Sequence, residues 1–206
     1  MATLAEIQAV MTGFPRNLTW NDFRTVQASP SPPRAAFVSS VYRTTGWRVA
    51  LVAGVYRVRG FRVTVSLSSG QSWATSAAKQ NAGLLAHEQG HYDITGLIAR
   101  DLARQVLNLS TSAAVVEVIT DAGNTAQSRV NYMTREFQRS IDRFGQRAQT
   151  LLNRLQSNGA QAGIYDRQTN HGLKAAVQTR WNNMFQRLKR ENEDFDLWLM
   201  MSGITT

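Results

Sequence analysis

The stretch from Leu84 to Thr95, LLAHEQGHYDIT, constrains the chain more than any other, because it contains the pattern H-E-x-x-H as His87, Glu88 and His91. Apolar residues at helical spacing surround the pattern, which predicts that it lies on an α-helix. Residues four apart lie one above the other on a helix, so both imidazoles point the same way and can hold one metal ion. Glu88 is then close enough to accept a proton from water at that metal.

A stripe of ordinary core residues is the competing interpretation of this helix. Its apolar face also contains both histidines, because one line of residues runs through Leu84, His87, His91, Ile94 and Ile98. Two imidazoles buried side by side without partners would leave polar groups unsatisfied, at a cost of about a few kcal/mol. Metal ligation removes that cost, so the pattern favours a metal site.

His171 is the natural third ligand, since it is the only other histidine of the chain. It lies in the polar segment Tyr165 to Gly172, YDRQTNHG, which is predicted to be a turn. This turn is 80 residues beyond His91, where a long helical hairpin can return His171 to the first helix. Catalytic zinc takes three protein ligands and leaves one position for water. Asp166 in the same segment is the alternative, either as a direct ligand or as the acceptor for the free ring N–H of a histidine ligand.

Four further residues beside these positions have separate interpretations. Asp93 faces about 160° away from His91 on a helix and is a poor ligand. Tyr165 offers a phenol that can hydrogen-bond an oxyanion formed at a carbonyl, and burial as an anchor for the polar segment is the equal alternative. Gln89 is expected to be structural, and Gly90 is expected to leave room beside the metal.

Composition limits the possible classes of protein. A chain of 206 residues fits one domain with a full core. The absence of cysteine excludes disulfides, a thiolate zinc site and a cysteine nucleophile. The net charge is +9, and residues 125–190 hold 12 basic and 3 acidic side chains, a balance that attracts anionic partners. No nucleic-acid-binding motif or set of interleaved aromatics accompanies the charge, so nucleic-acid binding is not favoured.

Membrane and export signals are not evident. No stretch approaches the roughly 18 apolar residues that span a bilayer. The first residues, MATLAEIQAVMTGFPRNL, lack a basic start followed by an uninterrupted apolar core, so they do not resemble a signal peptide. We expect no membrane span and a monomer.

Strands are predicted from Ala36 to Leu67. Phe37 to Tyr42 is rich in β-formers, Trp47 to Val58 carries Val, Leu and Tyr at close spacing, and Phe61 to Leu67 alternates cleanly. Arg59-Gly60 predicts a tight hairpin turn between the last two. The pattern favours a small antiparallel sheet whose last strand turns its apolar residues to the core.

The first helix is expected to begin at a cap formed by Thr75 or Ser76 and to run to about Leu109. A short Val/Ile run follows from Ala114 to Thr120, and it is read as a strand or a buried connector.

Two more helices are predicted beyond that run. Apolar residues spaced three and four apart predict a long helix that begins near Asn124 and ends at Asn158-Gly159, with its stripe packed on the first helix. The third helix is expected from about Leu173 to Arg190, with Leu173 among its inward residues. The apolar tail Phe195 to Met201 is expected to cover part of the core.

Taken together, these segments resemble the domain of unknown function 922 family, a bacterial family of predicted zinc-dependent secreted proteases. The matching residues are L-T-W-N-D-F at Leu18 to Phe23, S-W at Ser72-Trp73, L-L-A-H-E-Q-G-H-Y-D-I at Leu84 to Ile94, A-R-D-L at Ala99 to Leu102, and Y-D-R-Q-T-N-H-G at Tyr165 to Gly172. The resemblance implies a metallopeptidase-like role and a secreted or periplasmic location. The missing signal peptide leaves a cytoplasmic location as the alternative.

The sequence therefore predicts an α+β fold in a single domain, with an entry segment and a β-sheet in residues 1–72, a metal-binding helix in 73–110, and a helical hairpin and tail in 124–206. The predicted function is zinc-dependent hydrolysis of a protein or peptide. Zn²⁺ would be held by His87, His91 and His171, with Glu88 as general base, Tyr165 as oxyanion donor and Asp166 as the alternative ligand. The alternatives are a non-catalytic protein stabilised by zinc, and a basic module that binds nucleic acid or the cell envelope.

Overall fold

The computed structural model describes residues 1–32, 34–120, 125–156 and 162–204. The strands within these ranges are β1 (Met11–Thr12), β2 (Arg24–Val26), β3 (Ala36–Phe37), β4 (Ser40–Thr45), β5 (Arg48–Val52), β6 (Val55–Arg59), β7 (Arg62–Leu67), β8 (Trp73–Thr75) and β9 (Ser110–Ser112). The helices are α1 (Leu4–Val10), α2 (Ala82–Leu107), α3 (Ala113–Ile119), α4 (Ala126–Leu155), α5 (Ile164–Thr169), α6 (Ala175–Arg190) and α7 (Phe195–Met201). Sheets in the first part of the chain followed by long helices confirm the α+β class.

The strands form three small sheets rather than one. In the first, β7 lies between β1, to which it is parallel, and β4, to which it is antiparallel. The second has the order β2-β8-β3, and the third, β5-β6-β9, is antiparallel. Phe61, Val63 and Val65 are buried, so the inward face predicted for the last strand is confirmed at these positions.

The hairpin predicted at Arg59-Gly60 was wrong. The strand before it, β6, pairs with β5 and β9, whereas β7 belongs to another sheet. The hairpin turn lies instead at Ala53-Gly54, where both residues have positive φ, 49° and 73°. Two consecutive residues of positive φ match the right-handed twist of the strands that they join. The stretch Trp47 to Val58, predicted as one strand, is therefore two.

The long helix α2 begins later than predicted. Trp73 and Ala74 are buried in β8, so the expected cap at Thr75 lies in a strand. The actual cap is Asn81, whose side chain accepts a hydrogen bond from the Leu84 N–H at 3.0 Å. From Tyr92 onward most of this helix is buried, so the later helices and the sheets surround it.

Three expectations for the remaining helices need correction. The run from Ala114 to Thr120 lies mainly in a helix, α3, and not in a strand. Part of the predicted polar turn is the helix α5, with Tyr165 and Asp166 in its first turn. Leu173 precedes α6 and is 78% exposed, so it does not face inward.

Several other expectations for the helices are confirmed. On α4 the described apolar stripe contains buried Met133, Phe137 and Leu151, and the helix packs against α2. In the tail α7, Phe195 and Leu199 are fully buried. The predicted boundaries of α4 at Asn124 and Asn158-Gly159 lie outside the described residues. Within the described ranges, no helix is both long and apolar enough to cross a membrane.

Gly96 gives a test of how closely α2 is packed. A Cβ at this position would overlap the ring of Phe14, so we expect Gly96→Ala to destabilise the fold by about 1–3 kcal/mol through overpacking. The matched control is Gly145→Ala on α4, where a Cβ would meet no atom within 4 Å. That variant should gain about 0.5–1 kcal/mol from helix propensity. Urea unfolding measures both, and equal effects of the two substitutions would contradict the close packing.

Candidate metal centre

The two histidines of the helical motif lie at the start of α2 and face one point. His87 is 1% exposed, and its ring meets the His91 ring edge to face with centroids 4.9 Å apart. The structure therefore places both imidazoles on one side of the helix, as their spacing predicts.

Asp166 completes the inner part of the cluster. Its Oδ1 lies 3.1 Å from His87 Nε2 and 2.9 Å from His91 Nε2, and its side chain is 4% exposed. The helix α5 carries this carboxylate to the start of α2.

His171 reaches the same carboxylate from the solvent side. Its Nδ1 lies 3.7 Å from Asp166 Oδ1, and its side chain is 47% exposed. Asn170, His171 and Gly172 all have positive φ, 50°, 51° and 83°, which reverses the chain tightly after α5. At Gly172 a Cβ would come within 3.1 Å of the His87 Cβ, so this turn packs directly on α2.

These donors form a group that could hold a metal ion. Suitable donor atoms of His87, Asp166 and His171 lie within 4.8 Å of one another, and His91 reaches the same carboxylate oxygen. Sequence reasoning treated His171 and Asp166 as competitors, and the structure brings both to the site.

Two observations test whether these residues fit a metal. Ligand atoms around a tetrahedral ion with bonds of about 2.0–2.1 Å are roughly 3.3 Å apart, and the nitrogen-to-Oδ1 distances, 2.9, 3.1 and 3.7 Å, bracket that value. Oδ1 of Asp166 is also buried without a hydrogen-bond partner among the described residues. A buried anionic oxygen in that position is costly, and a cation among the ring nitrogens removes the cost.

Glu88 lies beside this group and lines the same cavity. It is 3% exposed and accepts a backbone hydrogen bond from Val38. Burial raises the pKa of Glu88 to about 7, and nearby Asp166 adds to the rise, while His87 and the Val38 hydrogen bond act against it. A carboxyl group with a pKa near neutrality is suited to both accepting and donating a proton.

Tyr165 does not face the cavity, so its position does not support the predicted oxyanion role. The residue is fully buried, and its hydroxyl donates to the His87 carbonyl at 3.1 Å and accepts from Gln178 Nε2 at 2.6 Å. The alternative reading, an anchor for this segment, fits these contacts. Gly90 leaves the space that the Tyr165 side chain occupies, because a Cβ there would overlap the Tyr165 hydroxyl. The expectation that Gly90 leaves room beside the metal was wrong.

The other two polar residues of the motif helix have structural partners. Gln89 donates to the Arg16 carbonyl at 3.0 Å and accepts from the Leu18 N–H at 2.7 Å, which ties the N-terminal segment to α2. Asp93 forms an ion pair with Lys189 at 2.8 Å. The hydrogen bonds of Gln89 agree with its predicted structural role. The ion pair of Asp93 agrees with the prediction that Asp93 is a poor ligand.

The donors open into a cavity of about 800 Å³. One wall is the continuous segment 34–40, which includes β3, and the opposite wall is the turn 170–173. No sequence pattern indicates that segment 34–40 lines the same cavity as the histidines, because that proximity depends on how β3 pairs with β8.

Gln178 is a site residue that the sequence analysis missed. Its Oε1 lies 3.2 Å from His87 Nδ1, and the residue is 5% exposed. A signal was present, since Gln178 falls on the same helical face as Trp181, Phe185 and Leu188. A polar residue within an apolar stripe needs a buried partner.

Comparisons with known proteins add no assignment: no family model, curated protein or solved structure matches the chain. The resemblance to the domain of unknown function 922 family therefore stays a prediction.

The cluster predicts tight metal binding that depends on Asp166. We expect the protein to bind one Zn²⁺, and Asp166→Ala to weaken binding by at least about 100-fold, because it removes the central donor. Competition with a chromophoric chelator measures the affinity. Asp142→Ala, an exposed acid on α4, is the control and should bind as the wild type does. Wild-type affinity in Asp166→Ala would contradict the assignment.

In the metal-free protein, the burial of Glu88 should make the free energy of unfolding depend on pH. The pKa is about 7 when folded, against 4.5 for the ordinary value, so the folded state binds more protons and stability falls as pH rises from about 4.5 to 7. Glu88→Gln removes this loss. Relative to the wild type, the variant should gain up to about 3 kcal/mol between pH 4 and pH 8.

Urea unfolding with a chelator present measures this difference. Glu117→Gln, the same substitution at an acid on α3 whose side chain is 55% exposed, is the matched control. A gain for Glu88→Gln that does not change with pH, or that grows toward acid pH, would contradict the raised pKa.

Proposed function

We propose that this protein is a zinc-dependent metallopeptidase that hydrolyses peptide bonds in a protein or peptide substrate. The observation that carries the proposal is the position of Glu88. It is a buried carboxyl group with a pKa near 7, beside a cluster of metal donors, and it opens into the same large cavity.

Zinc is the metal that this set of donors favours. Imidazole nitrogens with one carboxylate oxygen suit zinc better than Mg²⁺ or Ca²⁺, which prefer oxygen ligands. Bound zinc would lower the pKa of a water molecule toward about 7 and polarise the substrate carbonyl. His87 and His91 would hold it with Asp166 or His171, or with both.

Glu88 would move the proton in this reaction. It accepts a proton as the water oxygen forms a bond to the peptide carbonyl carbon. The carbon–nitrogen bond then breaks, and Glu88 delivers the proton to the departing amine nitrogen. The hydrogen bond from Val38 would help to hold the carboxyl group in place beside the cavity.

The strand β3 offers a place for the substrate backbone. The Ala35 carbonyl accepts from Thr75 N–H, and Phe37 pairs with Trp73, so these residues bond toward β8. The backbone N–H and C=O groups of alternate residues on a strand point in opposite directions. Those of Ala36, which lines the cavity, therefore point away from β8. An extended peptide can add to such an edge, with its carbonyl close to the donors.

A non-catalytic zinc protein is the second candidate, and one observation favours it. His91 lies beside the three donors that could share a metal, close to the same Asp166 oxygen, and a zinc ion with four protein ligands is characteristic of structural sites. A catalytic site requires that one of the four positions be open to water. The half-exposed His171 is the donor on the solvent side.

Glu88→Gln separates the two candidates. We expect zinc-loaded wild type to cleave peptides from a quenched-fluorescence library, and Glu88→Gln to lose at least about 10²–10⁴-fold in kcat while it still binds zinc. The Glu117→Gln variant should keep full activity. Zinc-loaded wild type that cleaves no peptide, or cleavage that survives Glu88→Gln, would contradict the proposal and leave the non-catalytic zinc protein.

A further inference from the structure

We propose that Gln178 is the positioning residue of the metal centre: it fixes the tautomer and the ring orientation of His87, so that Nε2 is free to bind the metal. The proposal rests on the metal centre described above, and not on peptide hydrolysis. It is carried by a closed ring of hydrogen bonds that starts and ends at His87.

The ring begins at the main chain of His87. Tyr165 has a single hydroxyl hydrogen, which it donates to the His87 carbonyl at 3.1 Å. The hydroxyl oxygen can therefore only accept from its other partner, Gln178, at 2.6 Å. A carbonyl oxygen at that place would compete with the His87 carbonyl for the single hydroxyl hydrogen.

This requirement determines which way the Gln178 amide points. Its nitrogen must face the Tyr165 hydroxyl, and the same nitrogen donates to Asn182 Oδ1 at 2.8 Å. The amide oxygen then faces His87 Nδ1 at 3.2 Å. The orientation of an amide is otherwise ambiguous in a structure, and here the Tyr165 hydroxyl defines it.

A second acceptor at the same ring nitrogen supports the assignment. The Thr169 hydroxyl lies 3.3 Å from His87 Nδ1 and donates its hydrogen to the Tyr165 carbonyl at 2.8 Å. It can therefore only accept from the ring. With acceptors from both Gln178 and Thr169, His87 Nδ1 must carry the hydrogen.

A neutral imidazole with hydrogen on Nδ1 has its lone pair on Nε2. That lone pair points to Asp166 Oδ1 at 3.1 Å, and two lone pairs at this distance repel unless a cation lies between them. The Tyr165 ring stacks on the His87 ring at an interplanar angle of 5°, which holds the ring plane. The buried network thus presents Nε2 to a metal before the metal arrives.

Zinc affinity of three variants tests the proposal. Gln178→Met removes the acceptor while keeping an unbranched chain, and we expect it to weaken zinc binding by about 10–100-fold. Gln178→Glu in its protonated form, which burial favours, donates to the Tyr165 hydroxyl and presents its carbonyl oxygen to Nδ1, so it should recover affinity to within about threefold of wild type. Asn182→Ala, which removes a partner of Gln178 that does not touch His87, is the control and should also stay within about threefold.

Two further measurements separate positioning from ordinary packing. Unfolding of the metal-free variants reports any loss of stability, which a purely structural role would produce without the recovery in Gln178→Glu. Long-range ¹H–¹⁵N spectra of zinc-loaded wild type report the tautomer without any substitution, and we expect His87 to carry hydrogen on Nδ1 and metal on Nε2.

Wild-type zinc affinity in Gln178→Met, no recovery in Gln178→Glu, or metal on Nδ1 of His87 would each overturn the proposal. A wild-type protein that binds no zinc would overturn it together with the metal centre. If zinc binds as expected but no peptide is cleaved, only the proposed hydrolase function fails.

Discussion

A buried carboxylate oxygen surrounded by imidazole nitrogens is the interaction on which this structure depends. Oδ1 of Asp166 approaches nitrogens of His87, His91 and His171 at 3.1, 2.9 and 3.7 Å, yet it has no hydrogen-bond partner among the described residues. Electrostatics in a site of low solvent content makes an unbalanced arrangement of this kind expensive. A cation shared by these donors would balance it, and the surrounding helices hold the donors close enough to share one.

The rest of the fold serves to hold two short segments in contact. The helix α2 is surrounded by sheets and helices, so the direction of its first turns is set by most of the core. Close approach at Gly90 lets the Tyr165 hydroxyl reach the His87 carbonyl. That contact docks α5 against α2. Because Asp166 lies on α5, the same docking brings its carboxylate to the two histidines. The packing that stabilises the protein and the geometry of the donors are therefore the same set of contacts.

Much of the site was predictable, because it depends on local periodicity. The spacing of His87 and His91 was enough to place both rings on one helical face, and the count of three histidines pointed to His171. The long apolar stripe of α4 was predictable for the same reason. What failed was long-range pairing: which strands share a sheet, and where β8 ends before α2 begins. Those features depend on contacts between residues far apart in the chain, and periodicity carries no information about them.

The donors come from two regions some 80 positions apart, and this separation has a consequence for how the protein comes into being. During synthesis, the segment with His87 and His91 leaves the ribosome well before Asp166, His171 and Gln178 have been made. Domains generally become competent only as whole units. A nascent chain would therefore carry two histidines with little hold on a metal, and the capacity to capture one would arise late and abruptly, when α5 and α6 dock. Such a delay would keep the proposed hydrolytic centre silent while the polypeptide that carries it is still unfolded and most vulnerable to being cut.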